Sequence, residues 1–311
     1  FLSTGSWNVR KFQQMKRRIL NIAVFRKETL YQKMRALIIY LVISAVFIGC
    51  TPILFVDAST QSVYHFSDTD KNISLLDISE TFGTYDGSFV LYDNNLDSWK
   101  IYDLEEATKR IPPESTYKIY DALLGLESGI ITPEHSSMTW NGDAFPFPSW
   151  EADQDLNSAM QNSVNWYFQA IDSQLGINRV QEFLNKIEYG NQTTSSNLDL
   201  YWSDFSLKIS PLEQVTLLKK FNTNEFHLNF QNVFSVKNAI KIASTPNGNF
   251  YGKTGTGRVN GQDINGWFIG YVETSDNSYY FATNIQSDSN ATGKKAFEIT
   301  SDILKKLHIW N

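Results

Sequence analysis

The 311-residue sequence predicts a mixed α/β domain, a central antiparallel sheet flanked by helices, preceded by one transmembrane helix. Two patterns carry the domain. Alternating or aromatic runs of strand character lie at both ends of the region after residue 57, and apolar residues at helical spacing fill its middle. Strands from both ends around a helical block imply one sheet built from both termini. The third pattern is the uncharged run Ala36 to Val56, whose 21 residues suffice, at a rise of about 1.5 Å each, to cross an apolar layer about 30 Å thick.

Charge orients that helix. Residues 1–56 hold nine Lys or Arg against Glu28, a net charge of +8, which leaves −14 on the rest of a chain whose total is −6. Basic flanks stay on the cytoplasmic side, so residues 1–35 are expected to be the basic end of an intracellular loop, 36–56 the membrane helix, and 57–311 an extracellular domain at the cell membrane. An acidic exported part argues against a nucleic-acid partner. The chain starts at Phe1 rather than Met, and is expected to begin partway through a longer polypeptide or after processing. Cys50, the single cysteine, sits in the apolar run, so the domain gains nothing from disulfides. Gly49-Cys50 after a basic and an apolar segment also loosely resembles a lipoprotein signal, but residues 51–56 stay apolar where such a chain turns polar.

In the exported part, runs at 62–66, 88–92 and 99–102 read as strands, the last two joined by the turn-rich Asp93 to Asp97. After Pro112-Pro113 the period becomes helical, with Ile119, Leu123, Leu124 and Leu126 on one side and Gly125 to Gly129 ending the run. Residues 138–148, rich in Pro, Gly and aromatics, read as an ordered loop. Helices are expected at 154–168, 178–187 and 211–221, strands at 250–254, 267–273 and 279–285, and a closing amphipathic helix at 294–307. His65, His135, His227 and His308 are scattered, with no cysteine cluster beside them, so the expectation is no metal ligands.

The chemistry is carried by four short motifs in order: Ser115-Thr116-Tyr117-Lys118, Ser163-Val164-Asn165, Tyr189-Gly190-Asn191 and Lys253-Thr254-Gly255. A serine nucleophile needs a base within hydrogen-bond reach, and residues i and i+3 share a helix face, so Ser115 and Lys118 present hydroxyl and amine together. Lys118 can accept a proton only as a neutral amine or as its carbamate. Ser163 is placed as proton relay to the leaving nitrogen, with Asn165 completing a polar shell. Lys253 and Thr254 on a strand suit a substrate carboxylate, Gly255 lets substrate approach the backbone, and the NH groups of Thr256 and Ser115 suit an oxyanion. Arg258 is expected to be solvated. Each motif is common alone; the ordered set is the signature of serine acyl transfer in penicillin-binding proteins and serine β-lactamases.

These motifs, with Trp140-Asn141-Gly142-Asp143 and the stretch 150–168, resemble the class D branch of the serine β-lactamases over about residues 58–311. Joined to a membrane helix and a basic arm, the chain resembles the C-terminal portion of the MecR/BlaR family of β-lactam sensor-transducers, nearest its methicillin-resistance members. The resemblance implies a β-lactamase/penicillin-binding-protein-like fold in which Ser115, Lys118 and Ser163 act on the antibiotic. Asn165, Lys253, Thr254, Gly255, Thr256, Tyr189 and Asn191 form the implied substrate-binding set. It also implies acylation of Ser115 helped by a carbon dioxide-derived carbamate on Lys118, with no other cofactor. Lys118 then returns to the free amine, deacylation stalls, and the adduct is relayed to a cytoplasmic zinc protease domain and a repressor, neither in this chain. Asn165 is the departure, since class D hydrolases commonly carry valine there. The rival readings are a membrane-anchored class D β-lactamase and a wall transpeptidase or carboxypeptidase.

Overall fold

The computed structural model describes residues 72–195 and 197–310. The basic arm, the membrane helix expected at 36–56 and the strand expected at 62–66 lie outside the described residues. Among those described, no helix is long and apolar enough to cross a membrane.

Seven strands form one sheet: β1 (Ile73–Leu75), β2 (Asp86–Asp93), β3 (Ser98–Tyr102), β4 (Lys241–Thr245), β5 (Gly248–Val259), β6 (Gln262–Glu273) and β7 (Ser278–Gln286), in the order β1-β3-β2-β7-β6-β5-β4. Both chain ends contribute, as the strand pattern implied. The sheet is mixed rather than purely antiparallel, because β1 pairs parallel with β3 while the other neighbours run antiparallel. The reason is topological: the β2–β3 hairpin reverses the chain, so a strand that enters beyond β3 and runs opposite to β2 lies parallel to β3.

Helices cover both faces. On one side lie α2 (Leu104–Thr108), α3 (Lys118–Glu127), α4 (Leu156–Gln161), α5 (Asn165–Leu175), α6 (Ile177–Ile187), α7 (Pro211–Asn222) and α8 (Phe230–Ala239); α1 (Ser79–Phe82) and α9 (Gly293–Lys306) lie on the other. Side chains alternate accordingly. In β6, Trp267, Ile269 and Tyr271 enter the larger core under the helical block, while Phe268 and Val272 face α9. Burial on both faces explains why Trp267 to Val272 reads as an unbroken apolar run.

Several helix ends are written in sequence. Ser210 caps α7 in a reciprocal box with Glu213, with Pro211 in the first turn, and Asp155 caps α4 in the same way with Ser158. The helix expected at 154–168 is two helices, α4 and α5, broken at residues 162–164, where Ser163 adopts φ +56°. The short strands β1 and β4 and the helices α2 and α8 had no strong periodic signal.

Two features aim the fold at one place. β4 pairs with β5 only from Gly248 to Tyr251, and the Gly252 NH donates to the Ile240 carbonyl at 2.9 Å, so beyond Gly252 the outer edge of β5 has no neighbouring strand. Between Pro112 and Leu126, Ser115 is the one residue that is not buried.

Candidate active site

Ser115 sits in a 3-10 turn, Glu114–Tyr117, that runs directly into α3. The turn is held from several sides. The Pro112 carbonyl accepts from Trp267 Nε1 at 2.8 Å and Asn265 Nδ2 at 3.1 Å, the Glu114 NH donates to the Trp202 carbonyl at 3.0 Å, and Gln214 Nε2 donates to Thr116 Oγ1 at 2.9 Å. Gly255 of β5 passes close behind it: a Cβ there would lie 3.0 Å from Glu114 Cβ, 3.1 Å from the Pro113 carbonyl oxygen and 3.2 Å from the Ser115 nitrogen. The glycine is therefore what lets the exposed strand edge reach the nucleophile, as well as any substrate.

Lys118, 1% exposed, opens α3 and places Nζ 2.8 Å from Ser115 Oγ, as the i, i+3 spacing predicted. The same nitrogen donates to Asn165 Oδ1 at 2.7 Å. The rings of Phe168 and Trp202 lie 5.6 Å from it by their centroids. Burial lowers the Lys118 ammonium from its ordinary 10.5 to about 8, and the carboxyls of Asp121, Glu114 and Asp172 only partly offset this. A neutral amine is thus within reach at working pH.

Ser163 lies in the break between α4 and α5, and its hydroxyl accepts from Lys253 Nζ at 2.9 Å; that amine also donates to the Thr254 carbonyl at 3.0 Å. Lys253 is 5% exposed, and burial, followed by the charge of Lys118, holds its ammonium well below the usual range. Glu114 and Ser163, one beside the nucleophile and one the relay, both hold left-handed backbone at φ +53° and +56°. For non-glycine residues this costs of order 1–3 kcal/mol and persists only where neighbours enforce it.

A cavity of about 470 Å³ opens over Ser115 and is lined by Ser163, Asn165, Thr254, Gly255 and Thr256, with Phe147 and Trp150 as an apolar rim. Four of the seven residues expected to bind substrate thus gather round the nucleophile, and Lys253 stands apart from them. It does not line this cavity but faces a second one of about 430 Å³, and its amine is engaged by Ser163. Tyr189 and Asn191 lie elsewhere. Tyr189 is fully buried, packing its ring edge-on against Tyr117 and Tyr120, and Asn191 holds the next segment by donating to the Ser206 carbonyl at 2.7 Å and accepting from the Lys208 NH at 2.9 Å. A Gly190 Cβ would fall 1.9 Å from the Lys208 carbonyl oxygen. The Tyr-Gly-Asn triplet is a clasp behind the nucleophile rather than a surface before it.

Arg258 is exposed, as expected, and it also lines the cavity mouth, where its Nε donates to Asp263 at 2.7 Å. The buried carboxyls of the site were not read from sequence. Glu114 is buried against Gly257 and Asn265, and burial pushes its carboxyl up to about 8. Asp121, one turn after Lys118 in an apolar run, was the available signal for the buried carboxyls nearby.

Comparison with known proteins agrees with this geometry. Residues 86–305 match the family of the penicillin-binding protein transpeptidase domain. The regulatory protein BlaR1 of Bacillus licheniformis is 42% identical over 302 residues, 96% of this chain and 50% of that protein. The methicillin resistance mecR1 protein of Staphylococcus aureus is 37% identical over 295 residues, 95% of this chain and 50% of that protein. The chain thus spans about half the length of the curated relatives it matches. Among solved structures, the C-terminal domain of the Bacillus licheniformis BlaR penicillin-receptor superposes with a TM-score of 0.76 at 45% identity, covering 79% of this chain and 100% of that one. The class D β-lactamase BAT-2 superposes at 0.71 and 36% identity, covering 76% and 97%. By sequence and by fold the chain belongs to the family of the penicillin-binding protein transpeptidase domain, among relatives of the BlaR and MecR regulatory type.

Proposed function

We propose that this chain is the sensing part of a membrane-bound β-lactam receptor, in which the antibiotic acylates Ser115 and the persistent adduct signals the expression of resistance genes. The observation that carries this reading is the contact of Asn165 Oδ1 with Lys118 Nζ at 2.7 Å, in a site otherwise arranged for acyl transfer. An amide oxygen accepts from an amine or an ammonium but repels a carbamate oxygen, so it favours Lys118 without the carbamate and stabilises it once protonated, and an ammonium cannot activate water.

Acylation follows from the placement of the groups. With Lys118 neutral, the 2.8 Å contact lets the Ser115 hydroxyl donate to the amine lone pair as Oγ attacks the lactam carbonyl. The backbone NH groups of Ser115 and Thr256 receive the developing oxyanion. The lactam C–N bond breaks, and its nitrogen takes a proton through Ser163, whose hydroxyl is fixed by Lys253. The opened lactam stays attached as an ester on Ser115. A carbamate on Lys118, added from carbon dioxide, would supply an anionic oxygen base that stays deprotonated at neutral pH beside the Ser115 hydroxyl. The desolvated amine fits that modification, but Asn165 must turn its amide to donate to it. In the orientation found, Asn165 disfavours the carbamate, and once the ester has formed it holds Lys118 as an ammonium, which cannot take a proton from water. Water then lacks an activator and deacylation stalls.

Residues 36–56 serve as the membrane helix and the basic arm lies in the cytoplasm, on the strength of the +8 and −14 charge partition. The signal passes to a cytoplasmic zinc protease domain of the longer protein and through it to a repressor. The second reading, a class D β-lactamase that turns over, is favoured by the superposition on BAT-2. One experiment separates them: the intact mass of the chain, followed after a short pulse of a penicillin, with Ser115→Ala alongside. A one-to-one adduct that outlasts a cell generation, absent from the alanine variant, upholds the receptor. Rapid return to the free mass with hydrolysed drug establishes the β-lactamase, and labelling that persists in Ser115→Ala removes Ser115 as nucleophile.

A further inference from the structure

Behind the nucleophile, the helices that carry Lys118 and Asn165 each bury one carboxyl. Asp121 follows Lys118 by three residues on α3 and Asp172 follows Asn165 by seven on α5, and both are 0% exposed. Those offsets keep each carboxyl on the same helix face as its site residue. The two lie against each other, and none of their four oxygens takes a well-formed hydrogen bond. Two adjacent buried carboxylates cannot both ionise, so burial, reinforced by mutual repulsion, pushes the pair above the usual carboxylate range. The reaction described above uses neither residue.

The other groups facing this cluster leave it to balance its own charge. Toward Lys118 stand Glu114 from the turn, Asp121 from its own helix, Asp172 from α5 and Lys253 from β5. Glu114 is held protonated by burial and Lys253 is held toward the neutral amine. Toward the pair stand the hydroxyls of Tyr117, Tyr167 and Tyr201, all kept protonated by burial, and Asp199 acting on Asp172. Lys118, Asp121 and Asp172 therefore form a buried set of three, and an unbalanced charge inside a protein is strongly disfavoured. Two arrangements are neutral: an amine with two carboxylic acids, or an ammonium with one acid and one carboxylate. They hold the same number of protons.

We propose that Asp121 and Asp172 are positioning residues that act as a buried proton store, holding the proton while Lys118 serves as base and giving Lys118 a counter-charge as an ammonium once Ser115 is acylated. The stall is then a property of the set of three and does not depend on Asn165 alone. A neutral amine and a protonated pair suit acylation. An ammonium and a singly ionised pair cannot activate water, and the carboxylate also opposes a second negative charge at Lys118.

This inference rests on the receptor reading, and the test separates the two. The chain is pulsed with a penicillin in [13C]bicarbonate across pH 5.5–9, with adduct mass and the lysine carbamate carbon signal followed for the unsubstituted chain and for the double variant Asp121→Asn with Asp172→Asn, which leaves no carboxylate of the pair to balance an ammonium. If the unsubstituted chain forms no lasting adduct, the receptor reading fails. If it does, the double variant should move the acid limb of labelling down by about one pH unit, label about tenfold faster below that limb, lose the adduct about tenfold faster, and keep carbamate signal in the adduct. A folded double variant with an unmoved limb and an unchanged adduct lifetime overturns the proton store. Should the double variant not fold, carboxyl carbon spectra of the unsubstituted chain with 13Cγ-aspartate decide: at least one protonated aspartic acid at pH 7, giving up its proton when Ser115 is acylated, upholds the proposal, and two ionised carboxylates before acylation overturn it.

Discussion

Asn165 and a valine differ in one property that matters at Lys118: the amide accepts from Nζ at 2.7 Å and the isopropyl group cannot. Asn165→Val removes the acceptor that favours a proton-bearing amine. The buried Lys118 ammonium, already lowered to about 8, then loses a partner and falls further. Deacylation should quicken by about tenfold or more, since loss of one hydrogen bond to a charged group is worth about 1.5–3 kcal/mol. Adduct lifetime by mass is the measurement, and an unchanged lifetime would sink the role given to Asn165. At this scale the sequence was informative where chemistry dictates spacing. Ser115 and Lys118 meet because three residues make most of a helical turn, and Thr254 to Thr256 line the cavity because a glycine was needed beside them. It assigned Lys253 to a substrate carboxylate, whereas the long side chain here points to Ser163. Spacing along a strand fixes the face of a side chain but not the partner of its tip.

The break between α4 and α5 shows what periodicity hides at the level of elements. Apolar residues continue in phase through Ala159, Met160 and Val164, so the run reads as one helix, yet Ser163 turns left-handed and the chain restarts at Asn165. The polar Gln161-Asn162-Ser163 at the kink also fits the solvent face of a single continuous helix, so the pattern does not mark the break. The Tyr-Gly-Asn clasp was misplaced for a related reason: polar side chains suggested a surface that meets substrate, whereas Tyr189 fills an aromatic cluster and Asn191 satisfies backbone groups. Its physical weight can be measured. Gly190 holds φ +50°, and an added Cβ would collide with the Lys208 carbonyl, which belongs to the strap that Asn191 holds. Gly190→Ala should therefore cost more than the about 1 kcal/mol of a left-handed alanine alone, about 2–4 kcal/mol in all, because the strap must move. A thermal midpoint lowered by several degrees is expected, and one unchanged from the parent shows that the clasp does not hold the strap there.

For the whole molecule, the two-sided burial of the sheet explains why its inner strands were easy to find and its edges were not: β2, β6 and β7 are buried over most of their length and carry consecutive apolar residues, while β1 and β4 bury little and carry no strong pattern. The helical block that covers one face also encloses Glu114, a carboxyl that pattern reading leaves on the surface and that the fold buries to 5% exposure. Burial raises its acid from about 4.5 to about 8, with the Asn265 hydrogen bond and the Lys118 charge acting against the rise. The consequence for stability has a definite sign. A group whose folded value lies above its unfolded one binds its proton more tightly in the fold, so its contribution is complete below about pH 4.5 and is lost as pH rises to about 8. Glu114→Gln keeps the shape and the acceptor for Asn265 but cannot ionise. Urea unfolding of both chains at pH 5, 6, 7 and 8 should show the parent losing ground to the variant at up to about 1.4 kcal/mol per pH unit, and then no further loss above about pH 8. A difference that stays flat across this range would mean that Glu114 ionises as readily in the fold as in the unfolded chain, and that the wall behind the nucleophile is open to water.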